Sequence, residues 1–327
     1  SGSCPSLLLE PSRTNLIPYS EYNFASTNGT IDYNNALSPE GYTNAIKFTS
    51  TGTAPHIRIG ANQSVSNATI SAFVKYGNKQ WVQFMLSSAN TLYANFDIQN
   101  GVVGDTGAST SNAKIEDYGN GWYRISATFS YIGSTSARIY LVADGSANWA
   151  SPSSVSGDYI YTYGWQLEQD ATYPTSYIPT YGVSQTRLRD SADELSNDII
   201  SGATEFTWLF DNTGTELDGQ VNVVFQLVCT GTALRYYSSQ GGRFFAGGYF
   251  GEADAIGKLC VKYDGTTITM FKDGVKSTST SSTNLGTTIY LDNLFTSNNV
   301  GTPIKLNQML LFKTALSDEE CIQLTTI

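Results

Sequence analysis

Aromatic and charged side chains concentrate between residues 234 and 255, in the sequence LRYYSSQGGRFFAGGYFGEADA. The apolar face of a pyranose ring stacks on tyrosine, while carboxylate and guanidinium groups hold its hydroxyls by hydrogen bonds. Glycine pairs in the same stretch let a ligand approach the backbone closely. This stretch is the best candidate for a carbohydrate-binding surface, against ordinary packing of strands and turns as the alternative. Its predicted contact residues are Arg235, Tyr237, Arg243, Tyr249 and Asp254.

Residues suited to bond cleavage are sparse. His56 is the single histidine and no Gly-x-Ser-x-Gly sequence accompanies it, which disfavours a Ser-His-Asp hydrolase. The second half contains no pair of acids spaced along one strand as retaining glycosidases use. A polysaccharide lyase stays open, because tyrosine beside a basic group can remove a proton next to a uronate carboxylate. Tyr236 or Tyr237 with Arg235 or Arg243, or Tyr76 near His56, could act in this way, and the spacing singles out none of these pairs.

Acidic and amide side chains in the sequence DNTGTELDG, residues 211–219, supply the oxygen ligands that calcium prefers. Asp211 and Asp218 are weak candidates for a structural calcium site, since the same residue types also form ordinary turns. The spacing does not match an EF-hand loop.

The four cysteines, Cys4, Cys229, Cys260 and Cys321, match no zinc-binding spacing. Four cysteines in a chain of 327 residues do not make a disulfide framework, so buried free thiols are the favoured interpretation. Cys229 and Cys260 lie in predicted strands of the same half, and their pairing is the alternative.

Four aromatic residues alternate in the sequence DYIYTYGWQLEQ, residues 158–169. The two-residue period of a strand predicts that Tyr159, Tyr161, Tyr163 and Trp165 share one face. Burial against a core is the favoured interpretation, and a platform for sugar rings is the alternative.

Charged residues also cluster at the two ends of the first half, and they could form a structural clasp or a pocket for an anionic ligand. These residues are Glu10, Arg13, Arg187, Arg189 and Asp190.

The composition predicts an all-β protein. Charged residues are only 14 % and aromatic residues 13 %, and glycine and tyrosine are abundant, which suits short strands joined by polar turns. The net charge of −10 disfavours binding to nucleic acid or to an anionic bilayer. No apolar run approaches the roughly 20 residues of a membrane-spanning helix, so membrane insertion is not expected.

Turn signals divide the chain into strands and two domains. Asp264-Gly265 and Asp273-Gly274 bracket a predicted strand, as in β-hairpins. Ser317 followed by Glu320 predicts a capping box at the start of a short helix. Proline-interrupted sequence before residue 190 indicates a boundary there, giving domains 1–190 and 191–327.

The second half resembles the laminin-G-like, concanavalin A-like domains. The resemblance rests on VKYDGTTITMFKDGVKS, residues 261–277, followed by KLNQMLLFKTALSDEECIQL, residues 305–324. It covers most of residues 200–327 and implies a β-sandwich, but it is far less specific for activity.

The first half resembles a module of bacteriophage tail fibre and tail-associated proteins, with related modules in bacterial surface proteins. The matching words span almost all of residues 6–190: LLLEPSRTNLIPYSEYN, SPEGYTNAIKFT, GNGWYRIS, YGWQLEQDATYPTSYIPTYG and QTRLRD. The resemblance implies a β-sandwich of jelly-roll type, and calcium is common in both resembling folds. It further implies a virion or extracellular location, contact with other tail or fibre proteins, and often a homotrimer.

Together these observations predict a non-catalytic part of a tail fibre or similar appendage that binds a cell-surface glycan or host receptor. A polysaccharide-degrading tail enzyme, either a lyase or a glycosidase, is one alternative. A structural spacer domain of the fibre is the other. No coiled-coil heptads or collagen-like repeats report a trimer directly.

Overall fold

The computed structural model describes residues 7–86, 90–151, 153–188, 190, 202–211, 223–229, 234–237, 243–250, 257–286, 289–293 and 304–326. This part of the chain is nearly all antiparallel β-structure, which confirms the predicted all-β fold class. In the ranges described, no helix is long and apolar enough to cross a membrane.

In chain order the elements of the described residues are β1 (Leu7–Leu9), β2 (Arg13–Asn15), β3 (Ala25–Thr27), β4 (Gly29–Leu37), β5 (Thr43–Ser50), β6 (His56–Tyr76), β7 (Trp81–Leu86), β8 (Tyr93–Asp97), β9 (Val102–Thr106), β10 (Thr110–Asp117), β11 (Trp122–Leu141), β12 (Tyr159–Gln169), β13 (Gln185–Arg187), β14 (Phe206–Asp211), β15 (Val223–Cys229), β16 (Leu234–Tyr237), β17 (Arg243–Phe245), β18 (Tyr249–Phe250), β19 (Lys258–Tyr263), β20 (Ile268–Lys272), β21 (Val275–Ser281), β22 (Ile289–Asn293), β23 (Ile304–Leu306), β24 (Gln308–Phe312) and α1 (Asp318–Thr325).

The chain divides into two compact units. The N-terminal unit is Arg13–Arg187, and the C-terminal unit combines Ser1–Ser12 with Leu188–Ile327. The early strand β1 belongs to the C-terminal unit because it pairs with β23. The sequence-predicted boundary at residue 190 lies three residues beyond the end of the N-terminal unit.

The N-terminal unit is built on one ten-stranded sheet. Its two long strands, β6 and β11, run through both halves of this sheet. Residues 122–130 of β11 pair with 67–75 of β6, whereas residues 136–140 pair with 56–60, with register shifts in between. The first half continues through β12, β5 and β4 on one side and β10 on the other. The second half continues through β7, β8 and β9, with β3 on the opposite edge.

Both halves contribute to a single hydrophobic core. Phe48, Ile70 and Ile125 of the first half are buried in the same cluster as Phe84 and Ile139 of the second. A sheet whose halves bury their inner faces in a common core is a β-sandwich.

The aromatic row of β12 is divided between the two faces of the sheet, so the predicted single row is wrong. Trp165 lies in the main core, whereas Tyr161 and Tyr163 belong to a separate cluster. Pairing of β12 with β6 shifts register just after Tyr163, where Gly164 has a φ of +58°. A β-bulge inserts one residue and reverses the alternation beyond it. Burial is nevertheless the outcome for Tyr163 and Trp165, both 0 % exposed, and Tyr159 is half-buried.

The ends of the N-terminal unit meet through strand pairing. β2 and β13 are antiparallel, and Arg13 lies opposite Arg187 in their register. Within the C-terminal unit, the backbone amide of Glu10 donates to Oδ2 of Asp190 at 2.9 Å, and the amide of Asp190 donates to the carbonyl of Glu10 at 2.9 Å. Arg189 lies outside the described residues. The anionic-ligand pocket suggested for this charged set stays a prediction.

The C-terminal unit is also a sandwich. One sheet has the order β21-β20-β19-β14-β24 and the other β18-β17-β16-β15-β22. Trp208 and Val261 of the first sheet pack in one core with Leu234, Phe244 and Phe250 of the second.

Local signals in this unit produced the predicted elements. Asp273 and Gly274 have φ of +46° and +78° and connect β20 to β21 as a two-residue hairpin. Helix α1 begins after Ser317, whose hydroxyl accepts from the amide of Glu320 at 3.2 Å, while Glu320 Oε2 accepts from the amide of Ser317 at 2.8 Å. The predicted capping box is confirmed.

Candidate functional site

Three tyrosine hydroxyls converge on one carboxylate oxygen in the N-terminal unit. Oε1 of Glu21 accepts hydrogen bonds from Tyr163 at 3.1 Å, Tyr177 at 3.0 Å and Tyr181 at 3.3 Å. The Tyr163 hydroxyl also lies 2.8 Å from Oε2 of Glu40. We call these five residues the tyrosine–glutamate site.

Four segments from two widely separated parts of the chain supply this site. Glu21 lies in the loop between β2 and β3, and Glu40 lies in the turn between β4 and β5. Tyr163 projects from β12 on the face away from the main core. Tyr177 and Tyr181 belong to residues 170–184, which follow β12 and which we call the strap.

Two neighbours extend the hydrogen-bond network. The side-chain amide of Asn44 donates to Oε2 of Glu21 and to the Tyr163 hydroxyl, both at 3.4 Å. The hydroxyls of Ser20 and Tyr177 lie 2.6 Å apart. Asn44 thus supplies a further donor to Glu21, and Ser20 contacts the hydroxyl of Tyr177.

Asn15 holds the loop that carries Glu21 against β12 and the strap. Its side-chain amide donates to the carbonyls of Trp165 at 3.2 Å and Ile178 at 2.9 Å. Its Oδ1 accepts from the amides of Ile17 and Leu167, both at 3.1 Å. Because Asn15 is 0 % exposed, these four bonds replace all the water that its amide would otherwise bind.

A buried polar network holds the beginning of the strap. Glu168 is 0 % exposed and accepts from the amide and hydroxyl of Thr175 and from Gln166, at 2.6–3.0 Å. Arg124 donates to the carbonyl of Thr175 at 2.7 Å. Burial raises the pKa of Glu168, and the hydrogen bonds from Thr175 and Gln166, with the charge of Arg124, oppose that rise.

The bulge at Gly164 allows Tyr177 to approach β12. A Cβ atom on Gly164 would lie 3.0 Å from Cδ2 of Phe73 and 3.2 Å from the Tyr177 ring. The rings of Phe73 and Tyr177 pack edge to face, with their centroids 6.1 Å apart. A glycine is therefore required both by its positive φ and by the space available.

The site has more hydrogen-bond acceptors than donors. Tyr163 has one hydroxyl proton, so it can donate to Glu21 or to Glu40 but not fully to both. In the part of the chain that the structure describes, neither glutamate forms a salt bridge with a lysine or arginine. Two carboxylates thus share one phenol, and neither has a cationic partner among the described residues.

The tyrosines of the site remain protonated near neutral pH. Burial raises the pKa of Tyr163, and its hydrogen bond to Glu40 and the charge of Glu21 raise it further. Burial and the charge of Glu21 also raise the pKa values of Tyr177 and Tyr181, against the opposing hydrogen bond between Tyr177 and Ser20. A catalytic tyrosine base would need a lowered pKa. The raised pKa values of these tyrosines therefore disfavour a lyase reaction at the tyrosine–glutamate site.

Exposed aromatic rings border the carboxylates. Tyr181 is 64 % exposed and Tyr22, next to Glu21, is 39 % exposed. The rings of Tyr19 and Tyr22 pack edge to face with centroids 4.8 Å apart, and Tyr19 forms a β-bridge with Tyr181. Because these contacts already restrict the tyrosine rings, a ligand that stacks on their apolar faces would lose little further conformational entropy on binding.

The predicted carbohydrate surface of the C-terminal unit lies on β16, β17 and β18. Their register places Tyr237 opposite Arg243, and Arg235 opposite Phe245, which is in turn opposite Tyr249. The alternate positions 234, 244 and 250 are buried in the core. Successive strand positions alternate between the two faces of a sheet. Positions 235, 237, 243 and 249, which carry four of the predicted contact residues, therefore belong to the face opposite this core. Asp254 lies outside the described residues, and sugar binding at this surface stays a prediction.

Other predicted sites are separated or lie partly outside the described residues. His56 stacks on Tyr140 with centroids 4.3 Å apart, and burial lowers its pKa. His56 and Tyr76 occupy opposite ends of the 21-residue strand β6, so they do not form the catalytic pair considered above. Asp211 accepts from the side-chain amide of Asn307 at 3.3 Å, whereas Asp218 is outside the described residues.

Within the described ranges, no group of three or more histidine, cysteine, aspartate or glutamate side chains is arranged to hold a metal ion. Structural calcium stays a prediction.

The tyrosine–glutamate site was not predicted from the sequence. Its residues lie in the words PYSEYN, SPEGYTN and YGWQLEQDATYPTSYIPTYG, which supported the family resemblance. An available signal was the repeated occurrence of tyrosine within two residues of glutamate or proline in loops. No local spacing indicated that these words meet in space.

A scan of protein-family models gives no match to this chain. A search of curated proteins likewise finds no significant match.

Proposed function

We propose that this protein is a non-catalytic, glycan-binding part of a phage tail fibre or a similar surface appendage, acting at the virion or cell surface. The sequence segments that resemble tail-fibre modules, and their order along the chain, support this class of appendage. The tyrosine–glutamate site supports a binding surface for a saccharide in the N-terminal unit. Other fibre proteins would be its structural partners.

One observation carries the proposal: exposed tyrosine rings adjoin two carboxylates that have no cationic partner in the described chain. Tyr181 and Tyr22 offer faces for the apolar side of a sugar ring. Glu21 and Glu40 offer acceptors for sugar hydroxyl or ammonium groups. Rings with adjacent hydrogen-bonding groups are the combination that saccharide sites use.

Charge defines the class of saccharide. The carboxylates of Glu21 and Glu40 would repel the carboxylate of a uronic or sialic acid, and the chain's net charge of −10 adds to this repulsion. A neutral saccharide, or one with protonated amines such as a deacetylated hexosamine oligomer, is favoured. An ammonium group would supply the donors that the shared phenol does not.

A glycosidase reaction is the alternative that a specific observation favours, since Glu21 and Glu40 form an acid pair around one oxygen atom. That oxygen, however, is the hydroxyl of Tyr163, which occupies the space between the carboxylates that a glycosidic bond would need. Three tyrosine hydroxyls also surround Oε1 of Glu21, the oxygen that a base or nucleophile would have to present to a substrate.

A glycan array tests the proposal. The unaltered chain is expected to retain neutral or amine-bearing glycans, and Tyr181→Ala is expected to lose them. Tyr237→Ala, run in parallel, reports on the predicted surface of the C-terminal unit. An array with no retained glycan would support the structural-spacer alternative and refute the proposed function.

Catalysis is followed on the same glycans. Release of reducing ends or formation of unsaturated sugar ends, abolished by Glu21→Gln or Glu40→Gln, would overturn the non-catalytic assignment. Retention without either product supports it.

A further inference from the structure

Two cysteines meet in the interior of the C-terminal unit. Cys260 of β19 and Cys321 of α1 are both 0 % exposed, and they share a buried cluster with Leu209 and Phe271. Both are free thiols, and their side chains interact directly. This pairing differs from the Cys229–Cys260 pairing considered from the sequence.

Contacts at both ends of α1 maintain the approach of the two cysteines. At the beginning of the helix, Asp318 forms salt bridges with Lys262 of β19 and Lys276 of β21. At its end, the Thr325 hydroxyl accepts from the amide of Gly274 at 3.1 Å. Because α1 is held at both ends, Cys321 keeps one position relative to Cys260 on β19.

We propose that Cys260 and Cys321 form a disulfide bond when the protein meets a small-molecule disulfide oxidant, covalently fastening the C-terminal helix to its sheet. This inference goes beyond glycan binding; it rests on the extracellular location in the proposed function but not on any bound glycan. An extracellular protein encounters such oxidants, whereas reducing compartments keep thiols free.

The exchange proceeds in two balanced steps. The thiolate of Cys321 attacks one sulfur of the oxidant, forming a mixed disulfide and releasing one small thiolate. Cys260 then attacks the Cys321 sulfur and releases the second small thiolate. The two protein thiols lose two protons and two electrons, and the oxidant becomes two thiols.

The two cysteines differ in a way that orders these steps. The interaction with Cys260 and the charge of Lys262 lower the pKa of Cys321, against the opposing effect of burial. The interaction with Cys321 and burial raise the pKa of Cys260. Cys321 lies on the C-terminal helix, whereas Cys260 lies on the internal strand β19, so local opening of α1 exposes Cys321 to the oxidant first and makes it the first nucleophile.

Peptide mapping tests the cross-link. The reduced full chain is incubated with oxidised glutathione, both in the native state and during refolding, so that access through α1 does not limit the outcome. After thiol alkylation and digestion with trypsin without reductant, mass spectrometry is expected to find residues 259–262 linked to residues 314–327, two hydrogen masses below the sum of the free peptides. Cys229→Ser is expected to retain this link, and Cys321→Ala to lose it.

Thermal unfolding supplies a second measurement. Oxidation is expected to raise the Tm of the C-terminal unit by roughly 5–10 °C, because the cross-link closes a long loop in the unfolded chain. Cys321→Ala should show no shift on oxidation. Alkylation of both cysteines in both arms, or a link from Cys260 to Cys229, would overturn the proposal.

Discussion

The phenol oxygen of Tyr163 lies 2.8 Å from Oε2 of Glu40, although the two residues are 123 positions apart in the sequence. The same oxygen lies 3.1 Å from Oε1 of Glu21. A phenol has one proton to donate, so Tyr163 can donate fully to only one of the two carboxylates at a time. Under the proposed function, a ligand that brings additional hydrogen-bond donors would bind at this position.

Glu40→Gln should weaken binding of a deacetylated hexosamine oligomer by about 10-fold, because a charge-assisted hydrogen bond is lost. Binding of the N-acetylated oligomer of the same length should change by less than about 3-fold. Isothermal titration calorimetry of both oligomers measures the difference. Asp32→Asn, an exposed carboxylate on β4, is the matched control for net charge. Equal losses in the two variants would indicate general charge attraction instead of a site.

Tyr181→Ala should reduce the affinity for either oligomer by about 10-fold, since it removes the most exposed ring bordering the carboxylates. Tyr181→Phe should retain most of the affinity, because its ring still stacks. Tyr76→Ala is the control, as Tyr76 is 37 % exposed at the end of β6 and is not one of the residues of the tyrosine–glutamate site. Fluorescence titration distinguishes the three variants. A similar loss in Tyr76→Ala would argue against this site.

Gly164→Ala should lower the free energy of unfolding by about 2–4 kcal/mol, through its positive φ together with the close approach of Phe73 and Tyr177. Gly41→Ala is a matched control, because Gly41 has a φ of +85° but nothing lies within 4 Å of its added Cβ. That variant should lose only about 1 kcal/mol. Urea unfolding measures both values, and equal losses would show that packing around the bulge contributes nothing.

Glu168 should make folding less favourable as pH rises. Its folded pKa is raised, mainly by burial, so the folded state binds more protons than the unfolded state above the unfolded pKa of about 4.3. Its stabilising effect is complete below that pH and is lost as pH rises through the folded pKa. Glu168→Gln mimics the protonated form and should remove this dependence. Urea unfolding between about pH 4.5 and 8 compares the variant with the unaltered chain.

Asp97 provides the control of opposite sign. Burial raises its pKa, but hydrogen bonds from Asn100, Gln80 and two backbone amides outweigh burial and lower it overall. Its contribution is present above the unfolded pKa of about 3.9 and is lost as pH falls through the folded pKa. Asp97→Asn should therefore lose stability mainly at neutral pH. Parallel pH curves for Glu168→Gln and the unaltered chain would contradict the assignment for Glu168.

Asn15→Ala should destabilise the N-terminal unit by about 3–5 kcal/mol, because four buried backbone groups lose their hydrogen-bond partners. Asn78→Ala is the control. The Asn78 side chain also donates to one backbone carbonyl, that of Gly157, and accepts from one backbone amide, that of Tyr159, but it is exposed. Its loss should be about 1 kcal/mol, since water replaces the missing groups. Calorimetric unfolding of both variants checks the ratio, and similar losses would show that burial of Asn15 is unimportant.

Local interactions explain why the hairpins and the helix could be predicted. Asp273 and Gly274 adopt the positive φ values of a tight turn, whose preference depends on those two residues themselves. Ser317 and Glu320 satisfy each other within one helical turn. The abundance of tyrosine and the scarcity of charge similarly indicated an all-β chain.

The bulge at Gly164 marks the limit of periodicity. Alternation assigned Tyr163 and Trp165 to the same face, because a strict two-residue period admits no insertion. The pairing of β12 with β6 introduces one extra residue and sends these side chains to opposite faces. Register depends on the partner strand, which lies about ninety residues earlier in the chain.

The sequence by itself determined the fold class, the turns and the capped helix, because each depends on composition or on neighbours a few residues apart. Only the tertiary structure brought Glu21, Glu40 and Tyr163 together, and only it placed Cys321 beside Cys260. Contacts between residues far apart in the sequence depend on how whole sheets pack, and a short sequence segment does not encode that packing.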